Sequence, residues 1–131
     1  KNPKVNKDVI FNELFIDWDK ELTIVEGVFD AINAGNAVPI LGSTLREDSD
    51  LLRKIVRNDT PCYIALDPDA AEKERRIIQT LLRYDVELYK VDVSGYEDVG
   101  EMPKAVFQQR KESAKLIDRD NYILLDLLSA V

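Results

Sequence analysis

Apolar residues in this chain fall into short blocks of two kinds. Leu22-Thr23-Ile24-Val25 and Cys62-Tyr63-Ile64-Ala65-Leu66 are compact runs of the length expected for buried strands. Ala37-Val38-Pro39-Ile40-Leu41 reads as another strand, and Pro39, which cannot donate to a ladder, predicts an edge or a bulge. Val86-Glu87-Leu88-Tyr89-Lys90-Val91 alternates toward a fourth. Between these runs the spacing changes to that of helices. Val28, Phe29 and Ile32 share a helical stripe that stops at Gly35, and Leu51, Leu52, Ile55 and Val56 form a second stripe closed by Asn58-Asp59-Thr60-Pro61. Ile77, Ile78, Leu81 and Leu82 form a third, whose charged stretch from Glu72 to Arg76 reads as a solvated outer face. Pro103 opens a predicted long helix through Ile117, and the apolar residues from Tyr122 to Val131 predict one more. Val9 to Trp18 is apolar enough to pack but has no clean period, so strand and short helix both remain open.

Strands that alternate with helices, joined by right-handed crossovers, predict a mostly parallel four-stranded sheet covered by helices, a Rossmann-like α/β domain. Such folds host many chemistries, so function has to be read from the site.

Composition narrows the choice. A chain of 131 residues with 45% apolar and 33% charged content supports one domain with a core of its own. The formal charge of -7 argues against general nucleic-acid binding, which draws on clustered Lys and Arg. Any such contact must be local or made by another part of a longer protein. The single cysteine, Cys62, and the absence of histidine exclude disulfides, zinc ribbons and Ser-His-Asp triads. Cys62 reads as a small buried strand residue, Trp18 as core, and the five tyrosines as packing residues. Carboxylates are left as metal ligands, and all-oxygen donor sets favour Mg²⁺ or Mn²⁺. No apolar run reaches membrane-span length and no signal peptide is visible, so the expected location is cytoplasmic. The chain opens on Lys1, which reads as a segment of a longer protein.

The candidate chemistry lies at strand ends. Glu26 closes the first strand and Asp67-Pro68-Asp69 the third. Parallel strands deliver their carboxyl ends to one edge, where ligands bind. Like charges gathered there raise a pKa or recruit a cation. Asp30 lies one turn into the following helix and can reach back to the same cleft. Asp98, with Glu101 behind it, adds a further acidic cluster after the fourth strand. This set suits phosphoryl or nucleotidyl transfer, with Gly27 and Gly42 permitting close approach of a phosphate. The competing reading is structural: Asp-x-Asp after a strand also serves as a helix cap, and acids in a first turn complement the helix dipole. Lys104, Arg110, Lys111, Lys115 and Arg119 read as a solvated face.

At these residues the chain resembles a Toprim domain of the bacterial and phage primase type. Ile24-Val25-Glu26-Gly27-Val28-Phe29-Asp30-Ala31-Ile32 is similar to the family's glutamate-glycine segment, Leu41-Gly42-Ser43 to its glycine turn after the second strand, and Asp67-Pro68-Asp69-Ala70-Ala71 to its Asp-x-Asp-x-Ala segment. Asp98 stands near a further acidic position. The resemblance implies a catalytic core over residues 22–101, preceded by an extension at 1–21 and followed by a helical extension at 102–131. It implies Glu26, Asp67 and Asp69 as catalytic ligands of Mg²⁺ or Mn²⁺, Asp30 and Asp98 as supporting ligands, and Gly27, Gly42 and Ser43 toward phosphate. It further implies primer synthesis on single-stranded DNA from nucleoside triphosphates by a parent protein, with a replicative helicase as a partner, in a bacterium or a phage-infected cell. Glu72 departs from the glycine common at its place. The zinc module and basic template-holding region of full primases are absent from this segment, which by itself is expected to make no primer. A Toprim nuclease using Glu26 as acid or base, and a non-catalytic docking module, are the alternative readings.

Overall fold

The computed structural model describes residues 10, 11, 13–40 and 45–122. Its elements are β1 (Leu22–Val25), α1 (Val28–Ala34), β2 (Ala37–Pro39), α2 (Asp50–Arg57), β3 (Cys62–Ala65), α3 (Ala71–Arg83), β4 (Leu88–Lys90), α4 (Lys104–Glu112) and β5 (Lys115–Leu116). Short 3-10 turns form at Glu13–Phe15 and Val99–Glu101. The first is the only helical or strand element in the described part of the ambiguous 9–18 stretch.

The strands form one sheet in the order β2-β1-β3-β4-β5. All pairings are parallel except β4 with β5. The predicted Rossmann-like α/β architecture is therefore present, and Pro39 does sit on an edge strand. Alternation within the strands separates two cores. Leu22, Ile24, Cys62 and Ile64 face α2 and α3, whose Leu52, Ile55, Ile77 and Leu81 are fully buried against them. Val25 and Ala65 face the other way, toward Ala31 of α1 and Phe107 of α4. Cys62 is buried as expected, and Trp18 packs at the margin of the first core.

Two expectations need correction. Among the described residues the sheet has five strands rather than four, because the helix predicted through Ile117 ends at Glu112. After Phe107, the positions that would continue its buried stripe are Arg110 and Lys111, whereas Lys115 and Leu116 gain ladder bonds on the open edge of β4. The stripe of α1 is also turned outward. Phe29 is 82% exposed and Ile32 63%, while Asp30 and Ala31 are buried. Polar contacts made by Asp30 set this rotation, overriding the apolar pattern. Gly42, Ser43 and the residues after Tyr122 lie outside the described residues, so the glycine turn and the last predicted helix do too. Among the described residues no helix is long and apolar enough to cross a membrane.

Candidate functional site

Register brings the acids to one edge. Val25 pairs with Ala65 and Ile64 with Lys90, all in parallel strands. Glu26, Asp67 and the 92–98 loop therefore leave the sheet on the same side. There Asp67, Pro68, Asp69, Tyr96, Glu97 and Asp98 line an open cleft of about 490 Å³.

Asp67 is the electrostatic centre of this edge. Its carboxyl is pushed up to about 6, first by burial and then by the charges of Asp30, Glu26, Asp98 and Asp69. Its Oδ1 is buried and has no hydrogen-bond partner among the described residues. A buried carboxylate oxygen without a donor is costly, and a cation is one of the few groups that satisfies it.

The other acids are occupied to different degrees. Asp30 Oδ2 accepts the Gly27 N–H at 2.9 Å and Oδ1 accepts the Gly100 N–H at 2.7 Å. It thus caps α1 and ties that helix to the Val99–Glu101 turn. Asn33, one turn along, donates to the carbonyls of Val99 and Met102 at 2.8 and 2.7 Å. Asp98 Oδ1 accepts the Glu101 N–H at 2.9 Å and so caps the same turn. Gly100 is where these two carboxylates meet: a Cβ there would lie 3.0 Å from Asp30 Oδ1 and 3.3 Å from Asp98 Oδ1. The N–H of Gly27, expected toward phosphate, is already given to Asp30. Asp69 is exposed at the cleft wall. Glu26 is held by Lys73, whose Nζ lies 2.5 Å from Oε2.

As the side chains stand, no three carboxylates among the described residues form a group that could hold a metal ion. The donor chemistry nonetheless suits a hard divalent cation: oxygen ligands only, with an orphaned Asp67 oxygen at their centre.

Sequence reasoning missed two contributors. Lys73 was part of a charged stretch read as wholly solvated. Glu72 does pair outward with Arg75 and Arg76, but Lys73 reaches across to Glu26 at the end of β1. A lysine in the first turn of a helix, where the dipole disfavours cations, was the available signal. Arg110 was also read as solvated. It donates to the carbonyls of Asp92 and Ser94 at 2.8 and 2.9 Å, and its guanidinium lies 5.8 Å from the centre of the Tyr96 ring. It braces the loop that forms one wall of the cleft. Lys111 pairs with Glu21 and covers the Tyr63 ring, which stacks on Tyr89.

The fold is similar to the crystal structure of the Aquifex aeolicus primase, comprising zinc binding and RNA polymerase domains, with a TM-score of 0.61 and 27% sequence identity. The likeness covers 74% of this chain and 26% of that one, so this chain spans about a quarter of it. No protein-family model and no curated protein matches the chain. The domain is primase-like at the level of fold.

Proposed function

We propose that this chain is the Toprim-type catalytic domain of a DNA primase, acting in metal-dependent nucleotidyl transfer during primer synthesis on single-stranded DNA. The observation that carries this reading is Asp67. It sits at the carboxyl end of β3 with one buried oxygen that has no partner among the described residues and four other acids near enough to raise its pKa. The likeness to a bacterial primase supports the choice of reaction class.

Glu26, Asp67 and Asp69 are the proposed ligands. A bound Mg²⁺ or Mn²⁺ would supply neutralisation of phosphate charge and activation of the attacking hydroxyl. The chain's own residues supply position. Asp69 faces the open cleft where a triphosphate has access. Asp30 and Asp98 add negative charge around Asp67 and fix the turn behind it, so their support is electrostatic and architectural. Tyr96 gives the opposite wall an aromatic surface. Template and helicase contacts are assigned to the parent protein, since the charge of -7 leaves this segment poorly suited to hold DNA alone.

The test is a Mn²⁺ titration of the wild-type chain against Asp67→Asn/Asp69→Asn, together with primer synthesis by the parent protein carrying Glu26→Gln. Saturable binding lost in the double variant, and loss of primer synthesis, are expected. Equal Mn²⁺ binding by both proteins would remove the site.

A further inference from the structure

We propose that Lys73 is an internal cation of this site, one that occupies Glu26 in the metal-free protein and must be displaced for a divalent ion to bind. It therefore sets the affinity of the site for that ion. The inference rests on the metal site proposed above and assigns a role to a residue which that proposal does not use.

Position is the first support. Lys73 is the third residue of α3 after Ala70, which offers no side-chain cap. A cation there is opposed by the positive end of the helix dipole. Its neighbours Arg75 and Arg76 satisfy themselves outward with Glu72. Lys73 instead reaches from α3 to the residue that ends β1, and both partners keep only 21% of their side-chain exposure. An unfavourable placement on the helix is thus compensated by the ion pair with Glu26.

Occupancy is the second. Of Glu26, Asp30, Asp67, Asp69 and Asp98, only Glu26 has an ion pair among the described residues. The ammonium holds Oε2, so a divalent ion that takes this oxygen has to displace it. A divalent ion and an ammonium on one carboxylate repel each other, so binding of one weakens the other. The arrangement also accounts for the lack of a three-carboxylate group as the side chains stand. Releasing Glu26 from Lys73 is the rearrangement that would make it available beside Asp67.

The test compares Mn²⁺ affinity of the wild type, Lys73→Met and Lys73→Arg by calorimetry, with Asp67→Asn/Asp69→Asn as the site control. Removing a competing charge at a partly exposed carboxylate should tighten binding on the order of tenfold in Lys73→Met. Lys73→Arg, which keeps the charge, should stay near wild type. A lysine that merely braces Glu26 would give the opposite sign. Unchanged or weaker binding by Lys73→Met, with the wild type still binding, overturns the inference and leaves the metal site intact. Failure of the wild type itself to bind overturns both. Should Lys73→Met not fold, the side-chain ¹⁵Nζ resonance of Lys73 in the wild type decides: a shift on Mg²⁺ saturation supports displacement, and an unmoved resonance in saturated protein refutes it.

Discussion

Across 70 positions of sequence, the Gly100 N–H donates to Asp30 Oδ1 at 2.7 Å, joining the first turn of α1 to the turn that follows the acidic loop. The second oxygen of the same carboxylate caps α1 through the Gly27 N–H. One buried side chain thus orients a helix and seats a loop, and both flank Asp67. Hydrogen bonds to an ionised acceptor are the stronger kind, and losing them leaves two N–H groups without partners.

Asp30→Ala should therefore destabilise the metal-free protein by about 2–3 kcal/mol. Urea unfolding without divalent ions measures this. A loss below about 0.5 kcal/mol would show that the carboxylate carries no such structural share.

Gly100→Ala should cost about 1–2 kcal/mol, because its Cβ would press on both Asp30 and Asp98 carboxylates. In a double-mutant cycle with Asp30→Ala the two effects should be less than additive, since removing the Asp30 carboxylate opens the space.

Asp67 makes stability depend on pH with a definite sign. Its folded pKa of about 6 lies above the usual 3.8, so the folded protein keeps a proton that the unfolded chain has released. This contribution is fully present below about pH 4 and is lost as pH rises through about 6. Asp67→Asn should flatten that slope and, after allowance for solvent screening, gain about 1 kcal/mol at pH 7. The difference in unfolding free energy between wild type and variant, followed from pH 4 to 8 without metal, reads it directly; a difference that does not change with pH would contradict the burial of this group.

Cys62 is buried in β3 and burial pushes its thiol up to about 12. It should resist alkylation at pH 8 in the native protein and react once urea unfolds the sheet. Fast native labelling would mean that β3 opens locally.

Arg110→Ala should loosen the 92–98 loop while costing only about 1 kcal/mol of global stability. Amide hydrogen exchange would show faster exchange at Ser94 to Glu97 with the β1 and β3 amides unchanged.

Strands β1 and β3 were legible in the sequence as short continuous apolar runs, because both of their faces are buried, and helices α2 and α3 because each buries one face whose period states it. Glu26 and Asp67-Pro68-Asp69 were legible for a related reason: a charge directly after a buried strand has to emerge at the sheet edge. Tertiary structure decided everything that depends on partners distant in sequence. The outward turn of Phe29 and Ile32 follows from where Asp30 finds the Gly100 N–H, which no helical period encodes. The end of α4 and the pairing of β5 follow from an open edge on β4. Lys73 and Glu26 meet only because parallel pairing and a crossover helix bring them within reach, and local patterning carries no information about which opposite charge, 47 residues away, a lysine will choose.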